Sequence, residues 1–183
     1  MSQTARPWLA DHAQLVDALA MRLRGQGRIP QALDIACGAG GVVLWLAERG
    51  WEVTGVDISQ EALKLAADAC RDHALEDRCH LLQVDLDVWR PQPESYDLIT
   101  CFFFLDRRLW EPMAQALRPG GLLIMETFNR YWKLRRPSTK SEYLLEPGEF
   151  AALAQRWGWP VLAQRSRGSH EERPTEAIIM QKP

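Results

Sequence analysis

The sequence predicts an α/β fold: a doubly wound, mostly parallel seven-stranded sheet with helices on both faces and an antiparallel hairpin at its C-terminal edge. Short apolar runs alternate with segments of helical periodicity along most of the 183 residues. The runs are apolar throughout, which is typical of strands buried on both faces. A glycine-rich turn, CGAGG at 37–41, follows the first run. These observations favour helices packed on both sides of a parallel sheet.

The first half of the chain predicts a helix and then alternating strands and helices. Leu9, Val16, Leu19 and Leu23 have helical spacing, which predicts a helix over 8–23. The elements expected next are a strand at 31–37, a helix at 40–50, a strand at 51–58, a helix capped by Ser59 and a strand at 79–85. The face of the helix after Ser59 that we expect to be buried carries Ala62, Ala66, Ala69, Cys70 and His73.

The second half predicts two further parallel strands and a different C-terminal region. We expect a strand at 96–105, a helix at 107–121 ended by Pro119 and Gly120, and a strand at 122–128. The polar, basic segment at 130–145 has no periodicity and predicts a long loop. A helix with Pro147 in its first turn follows, and runs at 160–167 and 175–183 predict the antiparallel edge hairpin.

Composition excludes several classes of partner. The net charge of −2 and the charged fraction of 25% are those of an ordinary soluble globular protein, so nucleic acid is a disfavoured partner. No apolar stretch approaches the ~20 residues of a membrane span, and the N-terminus lacks the apolar core of a signal peptide. We therefore expect a cytoplasmic protein without membrane contact. The four cysteines form no CxxC pair, so no metal site is predicted.

Glycines and acids fall where strands end. Gly38 and Gly40 follow the first strand, where glycine lets backbone amides approach a ligand and a helix N-terminus favours negative charge. Asp57 ends the second strand, in place to accept hydrogen bonds from two ribose hydroxyls, and Asp85 ends the third, in place to accept one from the amine of adenine. The GxGxxG fingerprint would need glycine at Val43, which disfavours NAD and a nicotinamide-dependent oxidoreductase.

The segments LDIACGAGG, VTGVDIS, LLQVDLDVW and LRPGGLLIMETF resemble successive motifs of class I S-adenosylmethionine-dependent methyltransferases, which have a Rossmann-like fold. The resemblance implies S-adenosyl-L-methionine as cofactor and S-adenosyl-L-homocysteine as product. It implies that Asp34 orients the glycine loop, Asp57 binds the ribose, and Asp85 binds the adenine together with Leu86. The cofactor-binding residues it implies are Asp34, Ala36, Cys37, Gly38, Gly40, Asp57, Ile58, Asp85, Leu86 and Cys101.

Ala36 departs from this family, which often has a glycine there. Because alanine is small, we expect a tight but usable loop. The resemblance also implies a single methyltransferase domain over 1–183. Its parts are an N-terminal helical segment (1–30), a cofactor-binding core (31–128), a basic loop (129–145) and a C-terminal helix with a strand pair (146–183).

A closer likeness concerns the methyl acceptor. ETF after the fifth strand, RRP in the basic loop and YLLEPGEF resemble the tellurite-resistance methyltransferase-like branch. This likeness implies a small-molecule acceptor, such as a chalcogen oxyanion or a thiol, methylated by in-line displacement. Two alternatives stay open: a non-catalytic protein that binds S-adenosylmethionine, and an RNA or protein methyltransferase. TCFFFLDR stands where base-amine methyltransferases carry an NPPY-like turn, which disfavours nucleic acid.

The acceptor site is expected beyond the fourth and fifth strands, where the residues available are Cys101, Phe102, Phe103, Phe104, Asp106, Arg107, Arg108, Glu126, Thr127, Phe128 and Asn129. The catalytic candidates are Cys101, Phe104, Arg107, Asn129 and His170, and the substrate-binding candidates are Phe104, Arg107, Arg130, Arg135 and Arg136. Alternation along the strand predicts that Phe104 points out of the core. The basic loop is either a lid that attracts an anionic acceptor or a plain solvated loop. His170 is either a general base or a surface histidine.

Overall fold

The computed structural model describes residues 7–183, so the first residues of the predicted N-terminal segment, 1–6, lie outside the described residues. One seven-stranded sheet forms the centre, in the order β3-β2-β1-β4-β5-β7-β6. Its strands are β1 (Gln31–Ile35), β2 (Glu52–Asp57), β3 (Cys79–Gln83), β4 (Tyr96–Phe102), β5 (Leu117–Phe128), β6 (Val161–Ser166) and β7 (Thr175–Gln181).

The sheet has the predicted topology. Strands β1 to β5 pair in parallel, whereas β7 pairs antiparallel with both β5 and β6. The strand order reverses between β1 and β4, and ligands of doubly wound sheets bind outside the carboxyl ends of the strands at such a point. The predicted doubly wound α/β fold with an antiparallel edge hairpin is therefore confirmed, and a ligand is expected in the crevice at the ends of β1 and β4.

Helices cover both faces of the sheet. They are α1 (Pro7–Asp11), α2 (Ala13–Gly25), α3 (Gly41–Glu48), α4 (Gln60–Asp72), α5 (Trp110–Ala116) and α6 (Glu149–Trp157). Buried side chains of α1 to α4 form one hydrophobic core on the sheet, and those of α5 and α6 form a second. None of the helices in the described part of the chain is long and apolar enough to cross a membrane.

The predicted helix boundaries are wrong at two places. The predicted helix at 8–23 is divided at His12, whose ring Nδ1 lies 2.9 Å from the carbonyl oxygen of Trp8. The helix predicted to reach Gly120 ends at Ala116, because Leu117 already pairs with Tyr96 of β4. In both cases a contact that periodicity does not encode ends the helix.

The predicted cap of α4 is correct, whereas its predicted buried face is correct only at Ala66 and Cys70, since Ala62 and Ala69 are partly buried. The Ser59 hydroxyl accepts a hydrogen bond from the amide of Ala62 at 3.2 Å, so this residue caps the helix as expected. Leu63, Ala66 and Cys70 form the buried face. His73 does not extend it: the residue is exposed, and its ring bonds the carbonyl of Ala69 at 2.9 Å.

The basic segment is more ordered than the predicted loop. It contains two 3-10 turns, Arg130–Leu134 and Ser141–Tyr143, and an isolated bridge joins its ends at Asn129 and Leu145. Arg107 also holds it, donating hydrogen bonds to the carbonyls of Glu142 (2.9 Å) and Leu144 (3.0 Å). The segment is thus fastened at both ends against the edge of the sheet at which the parallel strands have their carboxyl ends, which we call the carboxyl edge.

Candidate functional site

The glycine loop after β1 and the acid at the end of β2 are directly joined. Asp57 accepts a hydrogen bond from the amide of Gly38 on one carboxylate oxygen (2.8 Å) and from the amide of Ser59 on the other (2.9 Å). Gly38 has a φ of +54°, and a Cβ built there would meet no atom within 4 Å. The backbone therefore borders open space at the carboxyl edge, which a side chain would fill.

Gly40 has a different reason to be glycine. Its φ is +77°, and a Cβ there would lie 2.5 Å from the Cβ of Ala66 on α4. The absent side chain lets α3 begin against α4, so Gly40 is required by packing. Of these two loop glycines, Gly38 is the one that faces open space.

Strained backbone flanks the crevice on both sides. Ala36, just after β1, has a φ of +54°, and Phe103, just after β4, has a φ of +56°. The left-handed conformation costs a residue with a side chain roughly 1–2 kcal/mol, and strain of this kind clusters at ligand sites. Ala36 therefore forms the tight loop expected of it, in the conformation that a glycine would adopt freely.

Asp34 and the two nearby cysteines are interior groups. The Thr100 hydroxyl donates a hydrogen bond to buried Asp34 at 2.7 Å, which ties β1 to β4 beneath the loop. Burial raises the pKa of the Cys37 thiol, and the charges of Asp34 and Asp57 raise it further. Burial, followed by the charge of Asp34, also raises the pKa of Cys101. Both thiols are thus protonated at neutral pH and are poor nucleophiles.

The residues predicted to hold the nucleoside lie at the same edge. Asp85 is exposed, two residues beyond β3, and its carboxylate accepts a hydrogen bond from the amide of Asp87 at 2.9 Å. Leu86 beside it is buried. Ile58 follows Asp57 and is 64% exposed, although isoleucine is strongly apolar. The strand ends thus carry exposed acid and apolar surface where adenosine is expected.

Several acceptor candidates are engaged elsewhere. Phe104 and Cys101 line a different, narrow apolar cavity, which lies in the core beneath α5 and α6. The Cys101 thiol donates a hydrogen bond to the carbonyl of Phe104 at 3.6 Å. The prediction that Phe104 points outward is therefore wrong. Arg107 binds the carboxylate of Glu149 through two nitrogens, at 2.5 and 2.8 Å.

The other candidates divide into buried and exposed groups. Asn129 is fully buried, and its amide nitrogen donates to the carbonyl of Arg167 and to Glu176, both at 2.9 Å. Arg130 pairs with Glu146 at 3.0 Å on the surface. The side chain of His170 is 83% exposed, in the turn between β6 and β7. Arg135 and Arg136 are exposed, and no residue of the described chain pairs with them.

An aromatic cluster at the crevice contains two of the acceptor-site candidates together with Trp132, which the sequence did not single out. Its rings belong to Phe103, Phe128 and Trp132: the Phe128 and Trp132 rings stack 4.1 Å apart, and Phe103 tilts against Phe128 at 5.1 Å. The guanidinium of Arg173 lies over Phe103 and Phe128. The even-residue alternation of β5 places Phe128 on one face with Ile124, a signal that the sequence contains.

A second group lies beside this cluster on β5, around Glu126, another of the acceptor-site candidates. Buried Glu126 accepts hydrogen bonds from Arg165 (2.8 Å) and from the Thr175 hydroxyl (3.0 Å), both on one oxygen. The Arg165 guanidinium also lies over the indole of Trp8, 4.7 Å from the ring centroid. These contacts fasten α1 to the acceptor side of the carboxyl edge.

The glycine loop fits S-adenosylmethionine. A bound nucleoside needs backbone without side chains, an acid for the ribose and apolar surface for the base; Gly38, Asp57 and Leu86 have these properties at one edge. Val43 is fully buried in the core, so the third glycine of a dinucleotide site has no counterpart.

Comparisons with known proteins agree with this geometry. Residues 32–121 match the family model described as a methyltransferase domain. The ubiquinone biosynthesis O-methyltransferase of Idiomarina loihiensis is 36% identical over 111 residues, a match that covers 55% of this chain and 43% of that protein. The chain thus matches less than half the length of this curated relative.

Solved structures share the fold. A S-adenosylmethionine-dependent methyltransferase from Methanosarcina mazei superposes with a TM-score of 0.67 at 24% identity, covering 84% of this chain and 92% of that one. Geranyl diphosphate C-methyltransferase from Streptomyces coelicolor, solved with Mg²⁺, geranyl diphosphate and S-adenosyl-L-homocysteine, gives 0.67 at 11% identity, covering 93% and 77%.

The class I, Rossmann-like methyltransferase fold is therefore confirmed, and residues 32–121 are similar to a methyltransferase domain. The match to the methyltransferase model supports the predicted cofactor. The tellurite-resistance likeness stays a prediction, as do the individual site residues.

Proposed function

We propose that this protein is a S-adenosylmethionine-dependent methyltransferase that acts on a small molecule. The observation that carries the proposal is the hydrogen bond that the amide of Gly38 donates to Asp57 where the loop borders open space. A carboxylate held there by two amides is already oriented toward the position of a ribose. Preorganisation of this kind lowers the entropy cost of binding.

The chain's own residues would bind the cofactor and position the acceptor. S-adenosylmethionine supplies a methyl group on a positively charged sulfur. Gly38 and Gly40 shape the loop that would carry it, Asp57 would hold the ribose, and Asp85 with Leu86 the adenine. Transfer from an activated donor relies mainly on holding the acceptor in line and on excluding water. Trp8, packed beneath Arg165, places α1 where it would limit access of water to the crevice.

The acceptor is proposed to be anionic or a thiol. Arg135 and Arg136 are exposed on the basic segment without partners in residues 7–183, so they would attract an oxyanion such as selenite or tellurite to this edge. Arg107 fastens the basic segment to the rest of the fold. This supports a fixed basic rim, formed by Arg135 and Arg136, more than a lid that opens widely.

The proposal is tested in two stages. Calorimetric titration of the purified protein with S-adenosyl-L-homocysteine should show saturable binding, weakened at least tenfold in Asp57→Asn. Asp68→Asn is the matched control, because this exposed acid on α4 pairs only with Arg71. Absence of binding to the wild-type protein would refute the assignment of the cofactor.

The second stage measures S-adenosyl-L-homocysteine release with selenite, tellurite, small thiols and hydroxylated aromatic acids in turn. Turnover with any of them supports an enzyme acting on small molecules. Binding without turnover in every case would favour the alternative of a non-catalytic cofactor-binding protein. Turnover only with RNA or protein would assign the acceptor to a macromolecule.

A further inference from the structure

The aromatic cluster forms an ordered surface at the acceptor side of the crevice. Phe128 is stacked on Trp132 with an interplanar angle of 19°, and Phe103 meets it at 44°. All three side chains are half-buried, although burying such rings fully would be favourable. Partly exposed rings beside a binding crevice offer flat apolar surface to a ligand.

Arg173 supplies an available positive charge above this surface. Its guanidinium carbon lies 4.7 Å from the ring centroid of Phe103 and 5.5 Å from that of Phe128. Within residues 7–183, no carboxylate pairs with Arg173, whereas Arg165 binds Glu126 and Arg107 binds Glu149. A guanidinium stacked on rings still has N–H donors along its edge, which match the two oxygens of a carboxylate.

The backbone holds the cluster in place at an energetic cost. Phe103 is a bulky residue with a φ of +56°, and its amide donates a hydrogen bond to the carbonyl of Glu126 at 2.7 Å. The parallel register of β1 and β4 ends at Ile35 with Cys101, so the loop at Ala36 and the turn at Phe103 follow adjacent strands at the same edge of the sheet. The strained turn therefore lies at the edge that carries the proposed cofactor loop.

We propose that the aromatic cluster and Arg173 bind the methyl acceptor, and that this acceptor is a planar aromatic carboxylate. The inference rests on the proposed function and specifies its substrate class. The ring of the acceptor would lie against the aromatic cluster, and its carboxylate would pair with Arg173. An inorganic oxyanion would use the charge of Arg173 but would gain nothing from the flat apolar surface of the rings.

The first test compares three ligands that differ in one property. 4-Hydroxybenzoate is titrated calorimetrically into the protein saturated with S-adenosyl-L-homocysteine. Cyclohexanecarboxylate keeps the charge without the planar ring, and 4-hydroxybenzyl alcohol keeps the ring without the charge. We expect saturable binding of 4-hydroxybenzoate and at least tenfold weaker binding of each analogue. No binding of 4-hydroxybenzoate, or equal binding of either analogue, would overturn the inference.

The second test locates the site. Arg173→Gln and Phe128→Leu should each weaken 4-hydroxybenzoate at least fivefold and leave S-adenosyl-L-homocysteine affinity unchanged, which also reports that the variants are folded. Arg71→Gln is the matched control, an exposed arginine on α4 that pairs with Asp68 outside the aromatic cluster. Unchanged binding in Arg173→Gln would overturn the inference. Wild-type protein that binds 4-hydroxybenzoate but not S-adenosyl-L-homocysteine would instead contradict the proposed function.

Discussion

The two halves of the carboxyl edge are built in different ways. Beyond β1 to β3, backbone amides, glycines and single acids shape the site, as in the bond of Gly38 to Asp57. Beyond β4 to β7, long side chains shape it through ion pairs and stacked rings, such as Arg165 with Glu126. The first half is determined by local backbone conformation and the second by contacts between distant segments. Substitutions should therefore affect cofactor affinity in the first half and acceptor binding or stability in the second.

The largest effect is expected within the glycine loop. Gly40→Val would press against Ala66 in a left-handed conformation, so we expect a loss of roughly 2–5 kcal/mol in the free energy of unfolding. Gly38→Val meets no atom and carries only the conformational cost of roughly 1–2 kcal/mol. It should remain folded and lose S-adenosyl-L-homocysteine binding. Urea unfolding with calorimetric titration separates the two, and equal behaviour of the variants would contradict the distinction.

Asp57 gives the next largest effect, confined to cofactor affinity. Asp57→Asn keeps the shape of the side chain but removes the charge from its hydrogen bonds. Loss of a charge-assisted bond to the ribose should weaken S-adenosyl-L-homocysteine binding by about 1.5–3 kcal/mol. Affinity for an acceptor analogue such as 4-hydroxybenzoate, measured on the cofactor-saturated protein, should not change. A variant with wild-type cofactor affinity would show that the ribose lies elsewhere.

Arg107 tests the second half through stability. Arg107→Met removes two hydrogen bonds to Glu149 and two hydrogen bonds to backbone carbonyls of the basic segment. Because the pair is partly exposed, we expect a loss of about 1–2 kcal/mol in the free energy of unfolding, with cofactor affinity unchanged. Arg108→Met is the control, since its bonds to Asp87 and Asp106 lie on the surface. An equal loss of unfolding free energy in the two variants would show that Arg107 does not fasten the basic segment.

The same pair predicts a pH dependence. Burial alone would raise the pKa of Glu149, but the hydrogen bond from Arg107, that from the backbone amide of Glu146 and the charge of Arg107 outweigh it and lower the pKa below its ordinary value of 4.5. A lowered carboxylate pKa stabilises the folded state above pH 4.5, and this contribution is lost as pH falls through the folded-state value. The stability difference between wild type and Arg107→Met should be constant from pH 7 to about 5.5 and shrink below pH 4.5. A constant difference down to pH 3 would contradict it.

The smallest effect is expected on the basic rim. Arg135→Ala/Arg136→Ala removes two exposed charges whose side chains form no ion pair within residues 7–183. Lost attraction should raise the apparent KM of an anionic acceptor several-fold and leave cofactor affinity unchanged, with a difference that disappears at high salt. Steady-state kinetics at low and high ionic strength would measure this. Unchanged KM at low salt would reduce the segment to a solvated surface.

The sequence predicts the first half of the site better than the second, for a physical reason. Gly38, Asp57 and Asp85 lie at strand ends, and apolar runs locate those ends without knowledge of the rest of the fold. The cap at Ser59 is equally local. These features depend on backbone geometry, which neighbouring residues determine.

The second half depends on partners far apart in the chain. Arg107 reaches Glu149, 42 residues away, and Arg165 reaches Glu126, 39 residues away; neither pairing is visible in spacing. Phe103 replaces Phe104 at the crevice because the left-handed turn at Phe103 ends the alternation of β4. Local patterns predict the strand but not the strained residue that follows it.

The most direct test of the central claim is a titration of the isotopically labelled protein with S-adenosyl-L-homocysteine, followed by amide NMR shifts. Our account predicts saturable changes at Gly38, Ser59 and Leu86, with little change at Gly120, which lies at the opposite edge of the sheet. The amide of Gly38 should shift strongly, because its bond to Asp57 is rearranged when that carboxylate meets the ribose. Saturable binding that leaves Gly38 and Ser59 unchanged would contradict the claim that this loop holds the cofactor.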